Sequence, residues 1–125
     1  MSVVRKLDQE ILVNGLSDYV GFWEPVRLLR RREPRLNESE LKKVILMTIR
    51  SLVDDDLMEF GEVNVDGTFS TWALTSHEAI SVIRDQWDSL GRDPNVGEIV
   101  WMHNTLSGDT AARALIENVS READA

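Results

Sequence analysis

The residues best suited to chemistry in this chain are five arginines within nine positions. They are Arg27, Arg30, Arg31, Arg32 and Arg35. A guanidinium binds phosphate and carboxylate oxygens through paired N–H donors, so this spacing predicts contact with nucleic acid or with a partner protein. Two structural interpretations stay open. The arginines could lie on a solvated helix near its C-terminus, where the dipole favours cations, or pair with carboxylates of the same chain.

Other potential ligands and catalytic groups stand alone. Asp54-Asp55-Asp56 lacks the alternating ligands, central glycine and distant glutamate of a calcium loop, so we expect a plain turn. His77 and His103 have neither a second ligand at metal spacing nor a triad partner in a recognisable motif. The chain has no cysteine, which excludes disulfides and thiolate ligands. We therefore expect no metal, no cofactor and no enzymatic activity.

The formal net charge of -8 is unevenly distributed. Residues 1 to 36 carry seven basic and five acidic side chains, whereas residues 61 to 125 carry four and eleven. An acidic balance repels phosphate backbones overall, although a local basic patch can still bind them. Nucleic acid is therefore open as a partner but disfavoured by the net charge.

The elements that must position these residues fit one domain over residues 1 to 125. A first helix is predicted from about Val3 to Gly15, which would act as a left-handed cap. A second helix is predicted from Pro25 at its first position to about Arg32, because Glu33-Pro34 stops it.

The best-defined stretch is a helix followed by a hairpin. Asn37 and Glu40 have capping-box spacing, and apolar residues then recur at helical spacing as far as Asp54. Two predicted strands, 57 to 65 and 68 to 74, flank Asp66-Gly67, which favours a tight turn with positive φ. Phe69 and Trp72 fall on opposite faces of the second strand, so one of them could point outward and mark a partner site.

The remaining chain predicts further helices. Thr75 and Glu78 form a second capping box, and Gly91 lies just past the end of that helix. Residues 93 to 105 fit either a short helix or a buried extended segment. Ser107-Gly108-Asp109 is predicted to open a last amphipathic helix, whose apolar stripe would be buried. The stripe consists of Ala112, Leu115, Ile116 and Val119.

Three helices, a two-stranded hairpin and a following helix resemble the winged helix-turn-helix domain, over roughly residues 5 to 90. The run 51 to 58 is similar to the helix end and turn that lead into the wing of such domains. This resemblance implies a mainly α fold with a small β-hairpin (α+β), a recognition helix at 37 to 54, a wing at 57 to 74 and a C-terminal helical extension at 91 to 125. Gly21-Phe22-Trp23-Glu24 and residues 69 to 74 also resemble small actinobacterial proteins, which implies no particular function.

Two features depart from a DNA-reading member of that family. The exposed side of the third helix would carry mixed charges, where basic and amide side chains are expected to contact DNA. That side consists of Glu40, Lys43, Met47, Arg50 and Asp54. The predicted wing has no lysine or arginine, and it carries Glu59, Glu62 and Asp66, which would repel phosphates.

These observations favour a non-enzymatic protein-interaction module, such as a regulator, an adaptor or an immunity-type protein. Its acidic partner surface would include Glu59, Glu62 and Asp66, and a basic protein would suit it. The alternative is a DNA-binding transcriptional regulator of the winged helix-turn-helix type. Its phosphate contacts would be Arg27, Arg30, Arg31, Arg32, Arg35, Lys43 and Arg50. A homodimer through the last helix is compatible with either function. The absence of a long apolar run predicts no membrane contact and a cytoplasmic location.

Overall fold

The protein is described by a computed structural model over residues 5 to 124, with side chains described through Asn118. The described residues form five helices and four strands, so the predicted α+β class is confirmed. In chain order the elements are α1 (Leu7–Asn14), β1 (Val20–Gly21), α2 (Trp23–Arg32), α3 (Glu38–Asp54), β2 (Met58–Val63), β3 (Phe69–Thr71), α4 (Ser76–Leu90), β4 (Trp101–Asn104) and α5 (Leu106–Asp124).

The strands form one antiparallel sheet in the order β1-β4-β2-β3. The predicted hairpin is present as β2 and β3, but it is part of a four-stranded sheet. β4 comes from the segment whose conformation the sequence left open, and it pairs on both sides, with Val20 opposite Met102 and Phe60 opposite Met102. Residues 91 to 125 thus contribute an inner strand as well as α5, and they are more than a helical extension.

The helix ends follow from local sequence. In α3, the Asn37 side chain accepts from the Glu40 amide at 2.8 Å, and the Glu40 carboxylate accepts from the Asn37 amide at 3.1 Å. Thr75 and Glu78 make the same reciprocal pair at α4, which ends at Gly91 with a φ of 64°. Both predicted capping boxes are confirmed, and together they fix where α3 and α4 begin.

Two predicted helix boundaries are wrong, and a third is shifted by one residue. α1 begins at Leu7, and Gly15 after it has a right-handed φ of -68°, so it is not a left-handed cap. α2 begins two residues before Pro25. α5 begins at Leu106, because the Thr105 hydroxyl accepts from the Gly108 amide at 3.0 Å. The predicted contributions of Val3 and Val4, and of the Val119 side chain, lie outside the described residues.

The core lies between the helices and one face of the sheet. Trp87 of α4 is 1% exposed, and its ring meets Phe22 edge-on at 5.0 Å between centroids. Ile45 and Ile49 of α3 and Met102 of β4 are completely buried beside them. In the last helix Ala112 is buried, but Ile116 is exposed, so only part of the predicted stripe lies in the core. No described helix is long and apolar enough to cross a membrane.

Candidate protein-interaction surface

In the two central strands, β2 and β4, successive side chains point to opposite faces of the sheet. On β2 and β4 the buried residues face the helices. They are Met58, Phe60, Met102 and Asn104. Glu59, Trp101 and His103 take the alternate positions, and each of them is half-buried. Because Glu59 lies opposite His103 in the strand register, these side chains share the sheet face that points away from the core.

Aromatic rings gather on that same face. His103 of β4 meets Tyr19, which precedes β1, edge-on at 5.1 Å between centroids. Phe69 of β3 lies 5.3 Å from Tyr19 in a stacked arrangement and 5.2 Å from His103. We call Tyr19, Glu59, Phe69, Trp101 and His103 the outer sheet face. Of the predicted pair Phe69 and Trp72, Phe69 is therefore the one on this face, whereas Trp72 packs toward Phe60 at 6.5 Å.

The hairpin bends back toward this face. Asn64 and Thr68 close its turn, in which Gly67 has a φ of 86° and Asp66 does not have a positive φ. The turn is therefore a three-residue loop with a glycine at its left-handed position. The Tyr19 hydroxyl donates to the Gly67 carbonyl at 3.1 Å, which ties the turn to the start of β1. The hairpin turn is therefore held against the sheet and does not project freely from it.

Two glycines leave room for the rings. A Cβ at Gly61 would lie 2.6 Å from Cζ of Phe69, and a Cβ at Gly21 would lie 2.7 Å from Cδ1 of Trp23 and 3.3 Å from Cζ3 of Trp101. Real Cβ atoms essentially never make contacts shorter than 3.0 Å, so a side chain at Gly61 or Gly21 would require the neighbouring rings to shift. Glycine at these positions therefore allows the aromatic rings to lie directly against the sheet backbone.

The structure does not bring the three predicted acidic residues together. Glu59 lies on the outer sheet face, where its carboxylate accepts from the Thr71 hydroxyl at 2.9 Å. Strand alternation places Glu62 on the opposite face. Asp66 lies in the turn, where the hydroxyl and the amide of Thr68 both donate to its carboxylate and hold its pKa below the usual value. The hairpin is acidic on all sides rather than on one patch.

Three of the predicted basic contacts already bind carboxylates or carbonyls of the same chain. Arg30 donates to both oxygens of Asp93 at 2.5 and 2.6 Å and to Glu38 at 2.8 Å, and these bonds raise its pKa. Arg32 donates to the Arg5 carbonyl at 2.8 Å. Arg50 pairs with Asp54 one helical turn away at 3.4 Å. These three side chains therefore fit the alternative given above, in which the arginines bind groups of the same chain.

Four other predicted basic contacts remain exposed: Arg27, Arg31, Arg35 and Lys43. No described residue makes an ion pair with any of them. The guanidinium of Arg27 lies over the ring of Trp23, 4.8 Å from its centroid. Arg27 and Arg31 line a groove beside α2, whereas Arg35 and Lys43 do not line it.

The remaining candidate ligands are dispersed. His77 is exposed in the first turn of α4, as predicted. Asp54 ends α3, and its carboxylate accepts from the Ser76 hydroxyl and from Arg50, which lowers its pKa. Within residues 5 to 118, the histidines and carboxylates form no group of three or more that could hold a metal ion.

The sequence analysis missed Tyr19, Trp101 and His103 as members of one surface. No local signal could have identified them. Trp101 and His103 alternate with the apolar Met102 in a four-residue run that is too short to separate strand from helix. Their pairing with Gly61 and Glu59 depends on strand order, which the local pattern does not contain.

Comparison of the chain with protein-family models, with curated proteins and with solved structures gave no match.

Proposed function

We propose that this chain is a non-enzymatic, winged-helix-like protein-interaction module that contacts a basic partner protein through its outer sheet face and hairpin. The observation that carries this proposal is the set of half-buried rings of Tyr19, Phe69, Trp101 and His103 beside the carboxylate of Glu59. Aromatic rings provide large contact areas and attract cations over their faces. A lysine or arginine of the partner would meet both a ring and a carboxylate there.

The charge distribution of the chain supports a basic partner. Residues 57 to 74 and 101 to 104 contain no lysine or arginine, whereas the hairpin carries Glu59, Glu62 and Asp66. The whole chain has a formal net charge of -8, which speeds encounter with a basic protein. The order of three helices and a hairpin supports the winged-helix-like part of the proposal, to which β4 is an addition.

Binding to DNA is the competing proposal, and it rests on the four contacts that remain exposed: Arg27, Arg31, Arg35 and Lys43. Three contacts that it needs, Arg30, Arg32 and Arg50, are already engaged within the chain. If α3 entered the major groove of DNA, as a recognition helix does, the acidic hairpin would also face the DNA phosphates. We therefore place DNA second.

A paired titration tests the proposal. We would titrate a peptide of alternating arginine and glycine against the protein, against Glu59→Gln/Asp66→Asn and against Asp85→Asn/Glu117→Gln. The last variant removes the same charge from exposed positions on α4 and α5. We expect the hairpin variant to bind about 3- to 10-fold more weakly, since each exposed charge pair contributes about 0.2 to 1 kcal/mol. We expect the control to change little.

Two outcomes would contradict the proposal. Equal losses in both double variants would mean that only the net charge attracts the peptide. Micromolar binding of random duplex DNA at physiological salt, with a steep salt dependence, would favour the DNA alternative.

A further inference from the structure

A second surface lies beside α2, away from the hairpin. A groove of about 600 Å³ separates this helix from the segment 93–96. Trp23, Val26, Arg27 and Arg31 line the helix side, and Pro94, Asn95 and Val96 line the other. Pockets for small ligands commonly have volumes of about 300 to 1,000 Å³, so this groove is large enough to hold a bound group.

The two walls are held together by the chain itself. Arg30 and Asp93 form a two-point ion pair at 2.5 and 2.6 Å, and Arg30 also donates to Glu38 of α3. Pro94, next to Asp93, is buried and has a restricted φ. The groove is therefore preorganised, and Arg30 and Asp93 neutralise each other within it.

Two cations remain unneutralised in this groove. Arg27 and Arg31 are one helical turn apart, both are exposed, and no described residue makes an ion pair with either. Like charges at this spacing destabilise a helix. The stacking of Arg27 on Trp23 orients the guanidinium while leaving its edge N–H groups available. An anion between these two side chains would relieve their repulsion.

The opposite wall is apolar. Val96 is 68% exposed and faces the same groove as the ring of Trp23. A ligand that matched both walls would carry carboxylates toward α2 and an apolar side chain toward Val96. A long polyanion matches less well, because only two arginines of the groove are unpaired and the chain is strongly acidic.

We propose that this groove binds an acidic peptide segment of a partner protein, with two carboxylates on Arg27 and Arg31 and an apolar side chain on Val96. This site shares no side chain with the outer sheet face, although Trp23 of the groove and Trp101 of that face both lie beside Gly21. It requires neither the basic partner nor the hairpin carboxylates, so either proposal can fail without the other.

The probe is a blocked five-residue peptide with glutamate at its first and fifth positions and leucine at its centre, titrated while tryptophan fluorescence is recorded. Arg27→Gln/Arg31→Gln is the test variant. Arg35→Gln/Lys43→Gln is the matched control, because it removes two exposed cations that do not line the groove. We expect about a tenfold loss of affinity in the test variant and little change in the control.

Three further arms complete the test. A peptide with glutamine in place of both glutamates is expected not to bind. The Val96→Ser variant is expected to bind the glutamate peptide more weakly. Equal binding of the glutamine peptide, or an equal loss in the control variant, would overturn the proposal. Stronger competition by inorganic phosphate than by the glutamate peptide would also overturn it, because the groove would then be a site for small anions.

Discussion

At the scale of single residues, the outer sheet face depends on Gly61. A Cβ at this position would overlap the Ser70 carbonyl oxygen of the paired strand and lie 2.6 Å from Cζ of Phe69. Gly61→Ala should therefore push β3 and Phe69 away, at a cost of about 1 to 3 kcal/mol in unfolding free energy. The measurements are urea unfolding and near-ultraviolet circular dichroism, which reports the packing of the rings.

Gly67→Ala is the matched control. A Cβ there meets nothing within 4 Å, and its cost comes only from a φ of 86°. We expect it to lower stability while leaving the aromatic signal unchanged. An unchanged aromatic signal in Gly61→Ala as well would show that Phe69 does not lie over this glycine.

Glu98 gives a residue-scale prediction about pH. Its carboxylate accepts from Arg92 at 2.7 and 2.9 Å and from the Asn95 amide at 2.6 Å, and these bonds lower its pKa to about 2 from the usual value of 4.5. A lowered folded-state pKa stabilises the protein above about pH 4.5, and this stabilisation disappears as the pH falls toward 2. Glu98→Gln should therefore be less stable than the parent at pH 7, with a difference that narrows at pH 3. Urea unfolding at the two pH values measures it, and a constant difference would contradict the assignment.

At the scale of elements, the capping boxes at the starts of α3 and α4 are the most local features, and both were predicted correctly. Thr75 caps α4 through the Glu78 amide at 3.1 Å, and Glu78 returns a bond to the Thr75 amide at 3.0 Å. Thr75→Ala should cost about 1 kcal/mol of unfolding free energy. Ser81→Ala, at an exposed position within the same helix, should change stability little. Equal effects of the two substitutions in urea unfolding would mean that the cap does not hold the helix start.

The sheet was less predictable than the helices for a physical reason. A capping box or an Asp66-Gly67 turn is encoded within a few residues, so the sequence located α3, α4 and the hairpin. β4 has only four residues, and its partners Val20 and Phe60 are far away in the chain. Strand pairing between distant segments is a tertiary property, so neither β4 nor the cluster of Tyr19, Phe69 and His103 could be derived from local pattern.

The contacts of the arginines also could not be derived from local sequence. Their spacing predicted a contact surface, with pairing inside the chain as an open alternative. The structure divides the set, because Arg30 reaches Asp93, which lies 63 residues further along the chain, while Arg27 and Arg31 remain exposed in the groove. Which arginine meets a carboxylate depends on how α2 packs against the 93–96 segment, and the sequence does not state that.

At the scale of the whole molecule, opposite charges occupy different surfaces. The hairpin carries carboxylates without cations, and the groove beside α2 carries two unpaired arginines among the described residues. The account therefore predicts two independent contacts, one for a basic partner and one for an acidic peptide. Binding of the arginine-glycine peptide should weaken steeply with added salt, because exposed charges are screened over about 8 Å at physiological ionic strength.

The most direct test of the central claim uses the four tryptophans as reporters in a ¹H–¹⁵N NMR titration. Trp101 lies on the outer sheet face, whereas Trp87 is 1% exposed in the core. The account predicts that the arginine-glycine peptide shifts the Trp101 indole signal and the His103 amide while the Trp87 indole signal stays in place. An unmoved Trp101 signal at saturating peptide, together with shifts at Arg31, Arg35 and Lys43 on adding duplex DNA, would contradict it.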